Sequence, residues 1–255
     1  MGNDCFLTRE QIGFYRRNGY LIVPDILTSE ECDRMNEIFE LRASAINPDT
    51  KRPYDAEHKG IMNLDRDDYR VRHLMCYYKI VLILDTLLDG ETVGLQSMFL
   101  FKKSHSPQAW NPHQDNAYAR APHGMYLTGN IPFVDQDKEN GCMFIYPGSH
   151  NESLIPAEFF RSFHEEKGKN PGHDLSKSLP SDYKPVDLPM RKGSLLILHG
   201  NVAHGSYPNN SDRNRPMLLI PYGAKGISQQ PNFIAGRVGD RKEITLRPLR
   251  YSLNF

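Results

Sequence analysis

The spacing of hydrophobic positions changes about a third of the way along the chain. Up to residue 90 the apolar residues recur every three or four positions, which is the period of helices that bury one face. Two such segments open with a capping box, Thr8 with Gln11 and Thr28 with Glu31. We therefore expect two short helices, with a strand at residues 19–24 between them.

Two further segments complete this first part. The run 71–88 is apolar and long enough for one buried helix, which Asp89 and Gly90 would end. Residues 44–70 are polar and have no period, so a loop with at most one turn of helix is expected there.

After residue 90 the pattern becomes short β-prone runs separated by turn residues, which is typical of a barrel or sandwich. Strands are predicted at residues 96–102, 126–133, 142–146, 194–198 and 217–221. An insertion at residues 151–190 interrupts them; it predicts a helix near 157–166 and a lid over a binding site. The expected organisation is one domain, 1–255, with a helical part, 1–90, packed on a β-core, 91–255.

Composition excludes several classes of function. Lysine plus arginine equals aspartate plus glutamate at 31 each, so no global field would attract nucleic acid or a membrane surface. No apolar run is long enough to span a bilayer, and the first residues do not have the order of a signal peptide. The four cysteines are far apart and predict reduced, buried thiols. We expect a cytoplasmic protein, either a monomer or a homodimer.

One histidine and aspartate pair predicts a metal site. Alternate residues of an extended chain point the same way, so His113 and Asp115 would offer two ligands together. His204 follows a buried-strand pattern and would add the third ligand. Two histidines and a carboxylate on one face leave positions open, as iron(II) oxygenases require, although His-x-Asp alone is weak evidence.

A candidate binding site for a carboxylate lies downstream of the third ligand. Arg215 comes eleven positions after His204 and could return on the paired strand, where its planar fork would bind a carboxylate. Ser206 could add a hydroxyl donor. Arg213 has the same parity as Arg215, so strand alternation does not separate the two. The plainer alternative is a core histidine and a surface cation.

The combined motifs resemble the phytanoyl-CoA dioxygenase family over nearly the whole chain. They are His113-Gln114-Asp115, then residues 139–142 leading to 147–150, then His204-x-Ser206 and Arg215. The resemblance implies a mainly β fold with flanking helices, a double-stranded β-helix of the cupin-like jelly-roll type. It also implies that iron(II) is bound by His113, Asp115 and His204, and that 2-oxoglutarate is held by Arg215 and Ser206.

Three more residues are expected near the co-substrate or substrate because they lie on strands that flank the site: Gln96, Lys102 and Asn130. Many relatives have tryptophan at the position of Asn130, so the pocket should differ in shape there. Trp110 either lines the mouth of the pocket or packs in the core.

The implied reaction uses O2 and 2-oxoglutarate to hydroxylate a substrate C–H bond, with release of succinate and CO2. Since the carboxylate ligand Asp115 is present, hydroxylation is favoured over halogenation; desaturation and ring formation stay open. Two other functions are kept: a non-catalytic ligand-binding jelly roll, and a zinc-dependent hydrolase that uses the same ligands.

The substrate is expected to be a small polar metabolite, with an anionic group favoured. The reason is a local excess of basic residues around the first two ligands, which would create a positive potential at the pocket mouth: Lys102, Lys103, His105, Arg120 and His123. A solvated basic face is the equal alternative.

Overall fold

Helices dominate the first third of the chain, as the hydrophobic spacing predicts. The computed structural model describes residues 6–45, 60–160, 172–234 and 243–247. Its helices are α1 (Arg9–Asn18), α2 (Ser29–Ser44), α3 (Leu64–Asp67), α4 (Tyr69–Met75), α5 (Tyr78–Leu88) and α6 (Asn116–Ala119).

Both predicted capping boxes are confirmed. The Thr8 hydroxyl accepts a hydrogen bond from the backbone N–H of Gln11, whose side chain accepts one from the N–H of Thr8, at 3.1 and 2.8 Å. Thr28 and Glu31 exchange the same pair of bonds at 3.2 and 2.8 Å. These bonds satisfy amide groups that the first helical turn leaves open. The second helix is longer than expected, at 16 residues.

The single helix predicted at 71–88 is wrong, because two helices occupy this region. Helix α4 ends at Met75, and Tyr77 adopts an extended conformation with a ψ of 124° before α5 begins. The predicted end at Asp89 is confirmed, since that residue adopts the left-handed conformation of a helix cap. In the polar stretch 44–70 the described part contains α3 and one short strand, while residues 46–59 lie outside the described residues.

Two large antiparallel sheets form most of the β part. Their strands are β1 (Tyr20–Val23), β2 (Ile61–Met62), β3 (Thr92–Gly94), β4 (Met98–Lys102), β5 (Trp110–His113), β6 (Tyr126–Pro132), β7 (Met143–Ile145), β10 (Val186–Leu188), β11 (Leu195–His199), β12 (His204–Ser206), β13 (Arg215–Ala224) and β14 (Ile244–Thr245). The major sheet has the order β1-β11-β6-β13-β3-β14, and β4 pairs with β13 and β2. The minor sheet has the order β10-β7-β12-β5.

The major sheet separates a helix-side core from a space between the two sheets. On β13, Leu218 and Ile220 pack with the helices, while Met217 packs with residues of the minor sheet. Strand β11, which lies on the other side of β6, alternates in the same way, with Ile197 on the helix side and Leu198 between the sheets. A strand that is buried on both faces reads as a continuous apolar run, which is why these strands were visible in the sequence.

The insertion at 151–190 differs from its prediction. Residues 158–160 do not start a helix; they form β8 (Glu158–Phe160), which pairs with β9 (Gly172–Asp174). Residues 161–171 lie outside the described residues, so the rest of the predicted helix is not tested. The N–H of Leu175 donates to the carbonyl of Pro112 at 2.7 Å, and this bond fixes the insertion to β5.

Two smaller expectations concern thiols and membranes. Cys32, Cys76 and Cys142 are free and buried, as predicted, and Cys5 lies outside the described residues. Within the described ranges, no helix combines the length and apolar character needed to cross a bilayer.

Candidate metal centre

The three predicted ligands meet at one end of the minor sheet. His113 is the last residue of β5, His204 is the first residue of β12, and these two residues are directly paired between the antiparallel strands. Asp115 follows two positions after His113. One ligand atom from each side chain lies within 4.8 Å of the others, and no other such group is found among the described residues. The arrangement fits a small cation bound by two imidazoles and one carboxylate.

The reason given from sequence for the alignment of His113 and Asp115 is wrong, although the alignment itself is found. Strand β5 ends at His113, and Asp115 has helical backbone angles, φ −60° and ψ −34°, immediately before α6. The chain therefore turns between the two ligands. A helical turn, and not strand alternation, brings the carboxylate back toward the imidazole.

Both imidazoles are oriented by backbone carbonyl groups. Nδ1 of His113 lies 2.7 Å from the carbonyl oxygen of Asn111, and Nδ1 of His204 lies 3.0 Å from that of Val202. These contacts assign the proton to Nδ1 in each ring, so Nε2 presents its lone pair. The two Nε2 atoms lie 3.5 and 3.7 Å from Oδ1 of Asp115, respectively.

Burial and mutual charge shift the pKa values of the three side chains. Burial lowers the pKa of His204 to about 4, against the opposing effect of Asp115, so this ring is neutral near pH 7. Burial alone would raise the pKa of Asp115, but the two histidines and Thr128 lower it to about 2. For His113 the carboxylate of Asp115 outweighs burial and raises the pKa. An anionic carboxylate beside neutral imidazole is the state that binds a divalent cation.

Sequence reasoning missed Thr128, which fixes the second carboxylate oxygen. Its hydroxyl donates to Oδ2 of Asp115 at 3.0 Å from strand β6. Oδ1 is left facing the two imidazoles. The only signal for this residue in the sequence is its position on a predicted strand. Threonine is common in strands, so that position alone does not indicate a role in the site.

A cavity opens from the three ligands into the space between the two sheets. It encloses about 1130 Å³ of non-protein space, including open solvent at its mouth. Much of its wall is apolar, and sequence reasoning did not find that four methionines contribute to it; the apolar lining residues include Met62, Leu95, Met98, Leu100, Met143, Met217, Leu219 and Phe233. Trp110 also lines the cavity, which decides between the two expectations for that residue.

A buried guanidinium, for which the described part of the chain offers no acidic partner, also lines this cavity. Arg215 is 2% exposed and begins β13. Among the described residues its Nε has no hydrogen-bond partner, and its Nη1 makes a weak hydrogen bond to the sulfur of Met217 at 3.7 Å. Burial lowers the pKa of Arg215 to about 10, which leaves it charged at neutral pH. An unpaired buried charge is costly, so this geometry favours an anionic ligand.

Lys102 and Ser206 lie at the same end of the cavity. Arg215 is paired with Lys102 between β13 and β4, and Nζ of Lys102 donates to the Ser206 hydroxyl at 2.9 Å and to the carbonyl of Tyr207. Burial, followed by the charge of Arg215, lowers the pKa of Lys102 well below its ordinary value. Ser206 lines the main cavity, and Lys102 lines a small adjoining recess that Arg215 shares.

The remaining predicted site residues are distributed differently. Gln96 lines the cavity but precedes β4, so it is not on the predicted strand. Asn130 is fully buried on β6 and is absent from the cavity wall; its Oδ1 has no hydrogen-bond partner. The rival clamp residue, Arg213, is half exposed and pairs with Asp137 at 2.6 Å. This exposed ion pair removes Arg213 from the site.

The basic residues that suggested an anionic substrate do not line the main cavity. Lys102 is engaged beside Ser206, and the exposed His105 contacts Asp212 at 2.7 Å. The ring of His123 contacts the carbonyl of His150 at 2.8 Å. The described residues therefore give no support to the predicted positive potential at the mouth.

The fold and the site together define the class of enzyme to which the protein belongs. Two imidazoles and a carboxylate sit beside a buried arginine between the sheets of a jelly roll, which is the arrangement of a non-heme metal-dependent oxygenase. The chain belongs to the phytanoyl-CoA dioxygenase family, whose model matches residues 15–217. Family membership confirms the expected class, an Fe(II)- and 2-oxoglutarate-dependent dioxygenase that uses O2.

Curated relatives agree with this assignment. Phytanoyl-CoA dioxygenase domain-containing protein 1 of Danio rerio is 26% identical over 82% of this chain and 87% of its own length. The Mus musculus protein of the same name is 35% identical over a shorter match, 50% of this chain and 44% of its own length. The peroxisomal phytanoyl-CoA dioxygenase of Rattus norvegicus is 22% identical over 88% of this chain and 73% of its length.

Solved structures share the fold. EctD from S. alaskensis, crystallised with 2-oxoglutarate and 5-hydroxyectoine, has a TM-score of 0.76 and 19% identity over 99% of this chain and 91% of that one. The epimerase SnoN, in complex with Fe3+, alpha ketoglutarate and nogalamycin RO, has a TM-score of 0.67 and 20% identity over 94% and 96% of the two chains. The expected double-stranded β-helix with flanking helices is confirmed.

Proposed function

We propose that this protein hydroxylates a C–H bond of a small molecule, with iron(II) held by His113, Asp115 and His204 and 2-oxoglutarate held at Arg215. The observation that carries the proposal is Arg215 itself. It is a buried cation that has no acidic partner within the described ranges, and it lines the same cavity as the three ligands. A dicarboxylic co-substrate could chelate the metal at one end and pair with the guanidinium at the other.

Iron(II) bound at the three side chains would supply oxygen activation coupled to the oxidative decarboxylation of 2-oxoglutarate. The protein supplies charge, orientation and exclusion of water. Asp115 provides the single negative charge, while Thr128 restricts its carboxylate to one orientation. The carbonyls of Asn111 and Val202 keep the proton of each imidazole on Nδ1, away from the metal.

Ser206 and Lys102 support the binding of the distal carboxylate. The Ser206 hydroxyl accepts a hydrogen bond from Lys102, so its own proton is free to be donated toward the cavity. Lys102 adds a second basic side chain, which is paired with Arg215 between β4 and β13. Gln96 and Asn130 are weaker candidates, since Gln96 contributes only a place on the cavity wall and Asn130 lies behind that wall.

The two alternatives explain less of the site. A zinc-dependent hydrolase would need the same three ligands but has no use for an unpaired buried arginine. A non-catalytic binding protein would not need two imidazoles that are both oriented by backbone carbonyls. Hydroxylation accounts for both observations.

The part of the substrate that faces the metal is an uncharged hydrocarbon segment in this proposal. The cavity wall beside the triad is formed largely by methionine, leucine and aromatic side chains. Among the described residues, Arg215 is the only arginine or lysine that lines it, and we assign that residue to the co-substrate. Flexible, polarisable methionines suit apolar groups of irregular shape. We therefore propose an apolar substrate segment in place of the small anionic substrate expected from the sequence.

Anaerobic titration tests the proposed reaction class. Addition of iron(II) and then 2-oxoglutarate should produce a weak visible charge-transfer band in the wild type, and the same addition to Asp115→Ala should not. A colourless protein that instead retains zinc through dialysis would contradict the proposal and favour the hydrolase.

Substrate-stimulated succinate formation tests the substrate. We expect neutral, largely apolar compounds to stimulate turnover of 2-oxoglutarate more than small dicarboxylates or phosphonates do. Stimulation by small anions alone, in a protein that shows the charge-transfer band, would refute the apolar assignment and leave the reaction class intact.

A further inference from the structure

Three buried amide side chains lie close in the chain to the metal ligands. Gln114 and Asn116 flank Asp115 in the chain, and Asn201 lies in the turn that leads from β11 to His204. Their exposed fractions are 1%, 2% and 3%. None of them lines the cavity that contains the three metal ligands.

Asn201 connects the two segments that carry the ligands. Its Oδ1 accepts from Nδ2 of Asn116 at 2.8 Å, and its backbone carbonyl accepts from Nε2 of Gln114 at 2.8 Å. The N–H of Asn116 also donates to the carbonyl of Gly200 at 2.8 Å. Residues on both sides of Asp115 are therefore bonded to the same turn, three residues before His204.

Each amide is also fixed on its other side. Asn116 donates to the carbonyl of Ala121 and accepts from its N–H, at 3.0 and 2.8 Å, which closes the loop after α6. Nδ2 of Asn201 donates to the carbonyl of Glu152 at 3.1 Å. Oε1 of Gln114 accepts from the N–H of Ile155 at 2.8 Å. A network satisfied at this many points has little freedom to move.

We propose that the Asn116–Asn201 pair is a positioning device that sets the carboxylate of Asp115 against the imidazole of His204. This inference rests on the proposed metal site. Asp115 follows the end of a strand and lies in a turn, so strand pairing does not fix its distance from His204. The amide pair connects the turn that contains Asp115 to the turn before His204. Without the pair, we expect the Asp115 turn to move while His113 and His204 remain paired between their strands.

Binding of Co(II) without oxygen tests the proposal apart from activity. Asn201→Ala keeps the backbone bonds of residue 201 and removes only its side chain. We expect Asn116→Ala and Asn201→Ala each to weaken Co(II) binding about tenfold, within the range seen when groups that orient metal ligands are removed. The visible d–d spectrum of bound Co(II) should also change. The double variant should bind no more weakly than the worse single variant, because both substitutions break the same bond.

Asn140→Ala is the matched control. Asn140 is also a fully buried asparagine, and it bonds the backbone of Asp135 and Asp137 in a turn outside the cavity wall. The Asn140→Ala substitution should lower the stability of the protein without changing its Co(II) affinity or the spectrum of bound Co(II). All proteins are measured well below their unfolding temperatures. Folded Asn116→Ala and Asn201→Ala proteins with wild-type affinity and spectrum would overturn the proposal, as would an equal loss in Asn140→Ala. If the wild type does not bind Co(II), the metal site itself fails.

Discussion

At the scale of single residues, Asp115 has the largest expected effect. It is the only anionic ligand, and its removal leaves two neutral imidazoles for a doubly charged ion. We expect Asp115→Ala to weaken iron(II) or Co(II) binding by more than about a hundredfold, above the range for groups that only orient ligands. Substrate oxidation should fall to background. Equilibrium dialysis and a succinate assay measure the two effects, and wild-type turnover in this variant would remove Asp115 from the site.

Arg215→Ala should separate co-substrate binding from metal binding. A hydrogen bond to a charged group contributes about 1.5–3 kcal/mol, so the Kd for 2-oxoglutarate should rise by about tenfold or more. Metal affinity should stay close to wild type because the ligands are untouched. Isothermal titration calorimetry with Co(II) and 2-oxoglutarate measures both constants.

Arg213→Ala is the control for that substitution. Arg213 pairs with Asp137 at the surface and does not line the cavity. Exposed ion pairs contribute little to stability, so this variant should resemble the wild type in both constants. A greater loss of 2-oxoglutarate binding in Arg213→Ala than in Arg215→Ala would move the clamp to residue 213.

Residue types and spacing made the three ligands, Arg215 and Ser206 candidates before the fold was known, and the resemblance to the family selected them over the alternatives. The same reasoning could not find Thr128, because its role depends on a strand crossing that no local pattern encodes. It also overvalued the basic residues near His113. A charge near a ligand in sequence can point away from it in space, as the exposed contact of His105 with Asp212 shows.

At the scale of elements, Gly19 offers a test of how α1 is attached. It has a φ of +78°, and an added Cβ would lie 2.6 Å from the ring of His150. Gly124 has nearly the same backbone conformation, φ +82°, but no heavy atom within 4 Å of that position. Both substitutions by alanine cost backbone strain of about 1 kcal/mol. Gly19→Ala should cost a further 1–3 kcal/mol, roughly, from overpacking.

Urea denaturation measures this difference as a free energy of unfolding. Adding His150→Ala to Gly19→Ala should recover part of the loss, while the same addition to Gly124→Ala should recover none. Equal destabilisation by Gly19→Ala and Gly124→Ala would show that His150 does not restrict the position.

Element boundaries were predictable where a local signal existed. The capping boxes at Thr8 and Thr28 identified both helix starts, and the apolar runs identified five strands of the major sheet within a few residues, namely β1, β4, β6, β11 and β13. The short strands β2, β3 and β14 of that sheet were not predicted, and neither were β5 and β12, which bear the ligand histidines. Strands β5 and β12 are short, and they contain polar ligands where a strand pattern would have alternating apolar residues. Hydrophobic periodicity therefore does not detect them.

At the scale of the whole molecule, stability and catalysis are placed on opposite sides of the major sheet. Phe39 of α2 stacks on Phe99 of β4 at 4.3 Å between ring centroids and contacts Phe133 at 4.9 Å, all on the helix side. Phe39→Ala should lower the free energy of unfolding by about 3–5 kcal/mol. The Kd of the folded protein for 2-oxoglutarate should stay the same.

Leu41→Ala provides the comparison on the same helix. Leu41 is 73% exposed, so its replacement should change stability by less than about 0.5 kcal/mol. Chemical denaturation measures the free energy of unfolding, and calorimetry at low temperature measures the Kd for 2-oxoglutarate. A loss of 2-oxoglutarate affinity in folded Phe39→Ala would show that the helix layer shapes the cavity.

The buried guanidinium of Arg215 also makes the protein responsive to its surroundings. Among the described residues it has no acidic partner, so an anion that binds beside it compensates a charge that the fold leaves unpaired. A ligand at a hundred times its Kd stabilises the native state by about 2.7 kcal/mol. Resistance to heat and proteases should therefore rise with the supply of 2-oxoglutarate, so the amount of protein that survives in a cell would track the state of its carbon metabolism.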